Sequence, residues 1–182
     1  MGSKPITHPI LKTGEKMIKN IFGLMLGSLL LSAHAHAGVA KLAGPRMGIT
    51  GLTPGMATDE LDTYVISQYG WQFETRFSNT EEMAALAEWV LLAGGMEQGY
   101  FLPSVSSLFG IRKASGFEFG VGPNLSISGI SFVLAVGQNF QVDKVNLPVN
   151  LSWVPSNNSS WGDGKTGHRI SITCGFNMSV EE

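Results

Sequence analysis

The sequence predicts an all-β protein, a single up-and-down antiparallel β-barrel of about eight strands over residues 38–182, preceded by an export segment over residues 1–37. Three observations carry this expectation. Apolar and polar side chains alternate with period two along most of the chain after Gly38, as they do on a strand with two different faces. Charged residues make up 14% of the chain while glycine reaches 23 residues, a composition short of charge for a surface that meets water all round. Outside the N-terminus no apolar run approaches the ~18 residues of a spanning helix, so any membrane role must use strands.

The N-terminus is an address. Met17-Ile18-Lys19-Asn20 leads into the apolar stretch Ile21 to Leu31, and Ser32-Ala33-His34-Ala35-His36-Ala37 follows with the small-residue ending Ala35-His36-Ala37. This is the charged, apolar and small-residue order of a secretory signal peptide. Residues 1–16 carry lysines with Pro5 and Pro9 but no apolar periodicity, which fits either an upstream start codon or an extended n-region, and they are not expected in the fold. No cysteine follows Ala37, so a lipid anchor there is not expected.

Four C-terminal segments share one design. Phe117, Phe119, Val121 and Leu125 oppose Glu118, Gly120, Gly122, Asn124 and Ser126; Ile130, Phe132, Leu134 and Val136 oppose Ser131, Val133, Ala135, Gly137 and Asn139. Val145, Leu147, Val149, Leu151 and Trp153 oppose Asn146, Pro148, Asn150 and Ser152, while Ile170, Ile172, Cys174, Phe176 and Met178 oppose Arg169, Ser171, Thr173, Gly175 and Asn177. Earlier, Tyr64 to Phe77 sets Val65, Tyr69, Trp71, Phe73 and Phe77 against Gln68, Gly70, Gln72, Glu74 and Arg76. Arg46 to Thr53, Ala84 to Gly94 and Tyr100 to Arg112 complete the set, although Ala84 to Leu92 also suits a short helix by propensity. Pro103 and Pro148 weaken their strands because proline cannot donate a ladder hydrogen bond. Connections are short except for Pro54 to Thr63 and Pro155 to Gly167, which follow strands one and seven and so emerge at one end of the barrel.

The composition of the polar face decides what the apolar face meets. A wet strand surface carries many lysines and glutamates. Here that face is glycine, serine, asparagine and alanine with an isolated charge per strand, which suits the interior of a narrow barrel filled by side chains. The apolar face then meets lipid, with Trp71, Phe73, Phe117, Phe119, Phe132, Leu134, Trp153 and Phe176 as the expected contacts. Glu74, Arg76, Glu88, Glu118 and Arg169 fall inside, where isolated charges are expensive unless paired, so a lumenal network is expected with Arg169, or alternatively Arg76, as the partner of Glu118.

Several chemistries are not expected. Eight Lys/Arg against thirteen Asp/Glu follow Gly38, with no basic cluster, which argues against nucleic acid. Cys174 is the only cysteine and acts as a small apolar side chain; His8, His34 and His36 precede the barrel, leaving His168, so neither a metal nor any other cofactor is expected. His168 is also the sole candidate base; Ser171 faces the opposite side of an extended strand, and Ser156, Ser159 and Ser160 lie in the adjacent loop, so no catalytic residues are assigned and no enzyme is expected. Gly162-Asp163-Gly164-Lys165-Thr166-Gly167 lacks the spacing of a phosphate loop and precedes a strand, and is taken as a turn.

With the signal segment, the eight alternating segments and Gly116-Phe117-Glu118-Phe119-Gly120-Val121-Gly122-Pro123-Asn124, the chain resembles the small eight-stranded bacterial outer-membrane barrels. More narrowly it is similar to uncharacterised barrels that join such a stretch to a segment like Tyr69-Gly70-Trp71-Gln72-Phe73-Glu74 and a closing Gly175-Phe176-Asn177. The resemblance covers most of residues 38–182 and implies an outer-membrane monomer with a structural or interaction role and no open pore. It departs from the usual terminal aromatic, since Phe176 is followed by Met178, Val180, Glu181 and Glu182. Two other readings fit the alternation: a soluble periplasmic or secreted barrel similar to lipocalins, with Trp71, Phe117, Phe119 and Phe132 turned inward on an apolar ligand, and a lipid-modifying outer-membrane enzyme.

Processing is expected after Ala37, because alanine at both small-residue positions fits a signal peptidase pocket. N-terminal sequencing of the exported protein should begin at Gly38; a start at Met1 or Met17 would reject the signal segment.

Overall fold

The computed structural model describes residues 41–55, 58, 59, 61, 63–143, 145–159 and 164–179; the signal segment and its processing point lie outside the described residues. Strands β1 (Lys41–Leu52), β2 (Val65–Asn79), β3 (Met83–Gly94), β4 (Leu102–Lys113), β5 (Phe117–Ser126), β6 (Gly129–Val142), β7 (Val145–Val154) and β8 (Arg169–Gly175) each pair antiparallel with the next. A two-residue strand, β9 (Met178–Ser179), extends the course of β8. Because β1 pairs with both β2 and β8, the sheet closes on itself into an eight-stranded up-and-down barrel without a free edge. The Ala84 to Leu92 segment is strand, not helix: Leu86, Glu88 and Val90 pair on one side with Arg76, Glu74 and Gln72 and on the other with Gly110, Leu108 and Ser106.

The two ends differ. Turns of three residues or fewer join β2 to β3, β4 to β5 and β6 to β7 at one end, where β1 also begins and β9 finishes. Gly116 at φ 89° and Asp143 at φ 54° supply the left-handed backbone that two of these turns require. The opposite end carries the connections 53–64, 95–101, 127–128 and 155–168. In the last of these, Asn158 pairs with Lys165, and the Thr53 amide and hydroxyl bond the His168 carbonyl at 3.0 Å and amide at 2.7 Å, stitching the two longest connections together.

Two strand boundaries depart from the sequence pattern. β1 starts at Lys41 rather than Arg46, through Gly44 and Pro45, because Leu42 and Ala43 pair with β9 as well as β2. The closing strand is interrupted at Phe176 and Asn177, where Asn177 exchanges backbone bonds of 2.7 and 3.0 Å with Asn146 before β9 resumes on β1. At Pro123 the β4–β5 ladder lapses between Ser106↔Asn124 and Phe109↔Val121, as expected for a residue without an N–H.

The seam is tight at Gly44. A Cβ there would overlap the carbonyl oxygen of Phe176, and backbone on a paired strand cannot step aside as a side chain could. Gly44→Ala should therefore lower stability by about 1–3 kcal/mol, read as a lower urea midpoint, with Gly51→Ala, whose added methyl has room beside Ile170, as the neutral comparison.

Candidate functional site: the barrel interior and its two mouths

Alternate residues of each strand enter the barrel, and their side chains fill it in successive zones. The charged zone is built on Arg112 of β4. Its two terminal nitrogens grip the Glu74 carboxylate at 2.6 and 2.7 Å in a fork, its Nε donates to Glu118, and Nη2 lies 3.9 Å from Glu88. Glu74, on β2, is fully buried and accepts a further bond at 2.9 Å from Arg76. Arg46 of β1 donates to Gln72 at 2.8 Å and to Asn177 at 2.9 Å, and the Asn177 amide reaches Glu74 at 3.4 Å, which joins the closing seam to the charge cluster. Glu88 stands opposite Glu74 in the β2–β3 register, and its Oε1 has no hydrogen-bond partner.

Leu108, Val133, Ala135 and Val154, with Val90 against them, form an apolar cluster inside the barrel. A zone rich in hydroxyl and amide side chains contains Asn124, which donates to the Ser104 and Ser106 hydroxyls at 2.9 Å each, and Thr50, which bonds Gln68 at 2.6 Å and Ser171 at 2.7 Å. Arg169 belongs to this zone and donates to Asn124 at 2.6 Å. Leu52, Leu61 and Ile66, with Leu102 beside them, form a second apolar cluster at the long-connection end.

The sequence-named residues can now be placed. Glu74, Arg76, Glu88, Glu118 and Arg169 all lie on the inner face, and the first four meet around Arg112. The expected partner of Glu118 is corrected: it pairs with Arg112, which stands directly opposite it in register, and neither Arg169 nor Arg76 bonds it among the described residues. Alternation reports a side chain's face but not its height, and Arg169 begins β8 at the far end from Glu118. Arg112, Arg46, Gln72 and Asn177 were not singled out from the sequence. The available signal for Arg112 is parity: Phe109 and Ile111 stand exposed on the outer face, and the residue after Ile111 on an extended strand turns inward.

Trp71, Phe73, Phe117, Phe119, Phe132, Leu134, Trp153 and Phe176 all lie on the outer face, between 37% and 56% exposed. The lipocalin-like arrangement is thereby overturned, since Trp71, Phe117, Phe119 and Phe132 do not line the interior. Cys174 is also exposed on the outer face. His168 stacks on Trp153 with ring centroids 6.0 Å apart and accepts the Ser156 amide at Nδ1 over 3.1 Å, so its position is that of a loop staple. The Gly162 to Gly167 turn falls partly outside the described residues; Gly164 to Gly167 run directly into β8. Among the described residues no three His, Cys, Asp or Glu side chains are grouped to hold a metal.

At the rim, Glu97 in the 3-10 turn Met96–Gln98 accepts bonds from the Ser67 amide and hydroxyl, which holds its carboxyl below the usual range. At the short-turn end the interior opens into a mouth of about 710 Å³.

Fold and interior together define the class: a closed eight-stranded antiparallel barrel with a charged and polar lumen and an apolar exterior. Among solved structures the chain is similar to a barrel described under de novo design of transmembrane beta-barrels (10% identity, 77% of this chain and 95% of that chain, TM-score 0.41) and to Neisserial surface protein A, NspA (10% identity, 79% and 98%, TM-score 0.42). Neither a protein-family model nor a curated protein matches it.

Arg112→Gln should cost about 3–5 kcal/mol, because it leaves buried carboxylates without their cation. In urea unfolding, Arg112→Gln and Glu118→Gln should be non-additive while Arg169→Gln and Glu118→Gln should add. Additivity of the first pair would remove Arg112 from the centre of the network.

Proposed function

We propose that this chain is an outer-membrane β-barrel with a structural or interaction role, closed to conduction and presenting its long connections as the contact surface. The observation that carries the reading is the inversion of the barrel: carboxylates and guanidiniums are buried inside while Trp, Phe, Ile, Leu and Val side chains stand exposed outside on every strand from β2 to β8. Soluble monomers rarely expose contiguous apolar surface beyond a few hundred Å². A hydrocarbon surrounding reverses the cost, since each strand's backbone groups are already paired in the closed sheet and only apolar side chains meet the lipid. Strand lengths of 10 to 15 residues for β1 to β7 suit a tilted crossing.

Orientation follows from the ends. Outer-membrane barrels keep short turns on the periplasmic side and longer loops outside, so the 53–64 and 155–168 connections face out and the mouth faces the periplasm. Two apolar clusters and the Arg112 layer fill the axis between them, which supports a closed lumen. The outer connections, braced by the Thr53–His168 bonds, are then the surface available to partners.

The protein should remain in the outer-membrane pellet through high-salt and alkaline washing; release by osmotic shock would overturn the proposal. Phe119→Arg provides a second reading: Phe119 is mid-strand on the outer face, where a cation facing lipid costs roughly 2–4 kcal/mol and should depress assembly. An undiminished yield of folded Phe119→Arg protein would mean that this face meets water.

A further inference from the structure

We infer that the mouth at the short-turn end is a binding site for a small polar ligand that carries a carboxylate or phosphate group beside an N–H or O–H donor. The inference goes beyond the membrane reading and does not depend on it, because the barrel forms this mouth whatever surrounds its outer wall. The space, about 710 Å³, lies within the roughly 300–1,000 Å³ typical of small-molecule sites.

Two of its lining side chains, Arg76 and Lys113, have accessible bonding capacity that the barrel leaves unused. Arg76 commits only Nε, to Glu74, whose two oxygens are also gripped by the Arg112 fork; the terminal Arg76 nitrogens have no protein partner among the described residues, and the side chain is 22% exposed. A guanidinium edge with two free N–H groups is matched to an oxyanion. Lys113, in the same wall, is exposed and makes no ion pair among the described residues, so a second cation faces the same space. Asn139 is 8% exposed; its Nδ2 donates to Asn146 at 2.9 Å while its Oδ1 is buried and has no partner. That oxygen is closed to solvent, so an acceptor on this wall that a ligand N–H or O–H can reach is the exposed Glu81 carboxylate.

Other charges at the mouth set its selectivity. Arg112 lines the floor, but it is buried and each of its three nitrogens already donates to Glu74 or Glu118. Glu81 stands exposed on the β2–β3 turn, a carboxylate on the wall that disfavours anions without a hydrogen-bond donor to offer. The β2–β3 register shifts between Arg76 and Ser78, beside the point where Arg76 lines the mouth, and irregularities of this kind recur where a strand re-aims a side chain.

The test uses the full processed chain folded in zwitterionic detergent micelles, titrated calorimetrically at low salt with N-acetyl-glutamate and with glycerol 3-phosphate, one probe for each oxyanion. Saturable binding of either probe is expected, and the stronger one identifies the headgroup. Arg76→Gln and Lys113→Gln should each weaken it about tenfold, the loss expected for one charge-assisted hydrogen bond, and Lys165→Gln at the opposite end should leave it unchanged. Lys113→Gln keeps the test valid if Arg76→Gln, which removes a partner of Glu74, fails to assemble. Absence of saturable binding for both probes overturns the inference. Equal binding by wild type and Lys113→Gln, or equal weakening by Lys165→Gln, overturns it as well.

Discussion

The Arg112 fork on Glu74 is the contact on which the rest of the interior depends. An eight-stranded barrel encloses only enough space for side chains, and alternation delivers every second residue into that space. Three glutamates arrive there from β2, β3 and β5, none of which could stay charged alone in so confined a volume. Arg112 answers them from β4 by bonding Glu74 and Glu118 and approaching Glu88. Arg76 then completes Glu74 from the same strand, and Asn177 carries the network to Arg46 across the line where the sheet closes. Residues more than a hundred positions apart in sequence thus share one cluster, and closure of the barrel and pairing of its charges are the same event.

This arrangement accounts for the exterior as well. With the polar side chains consumed inside, the outer wall is left to aromatic and aliphatic residues, and the scarcity of charge in the composition is what that division requires. The two ends diverge for a related reason. Leu52, Leu61 and Ile66 fill the lumen where the long connections gather, whereas among the described residues the short-turn end has no such cluster and opens beside Arg76 and Lys113. The long-connection end is filled and braced by loop contacts, and the short-turn end is open with unused donors.

Glycine and proline mark where backbone, rather than side chain, sets the limits. At Gly44 the β1 backbone runs so near the Phe176 carbonyl that a methyl group has no place, and at Gly122 the same is true of the Ser107 carbonyl, beside the point where Pro123 interrupts the ladder. Gly44-Pro45 does not resemble a strong strand by propensity, so alternation alone does not show β1 reaching back to Lys41. Pairing on both sides overrode the local preference, as tertiary context does for strands generally.

From the sequence by itself came the class of fold, the eight segments, the end that carries the long connections and the face of the residues named on them, from Trp71 to Phe176. All of these follow from period two, a local property of an extended chain that survives without knowledge of any partner strand. What only the tertiary structure decided is height and neighbourhood: that Glu118 meets Arg112 rather than Arg169, that Arg46 reaches Asn177, and that Asn139 and Arg76 face one opening. Those depend on how far each strand slides along the next, and the sum of that sliding around a closed barrel is a property of all eight strands together, invisible in any one of them.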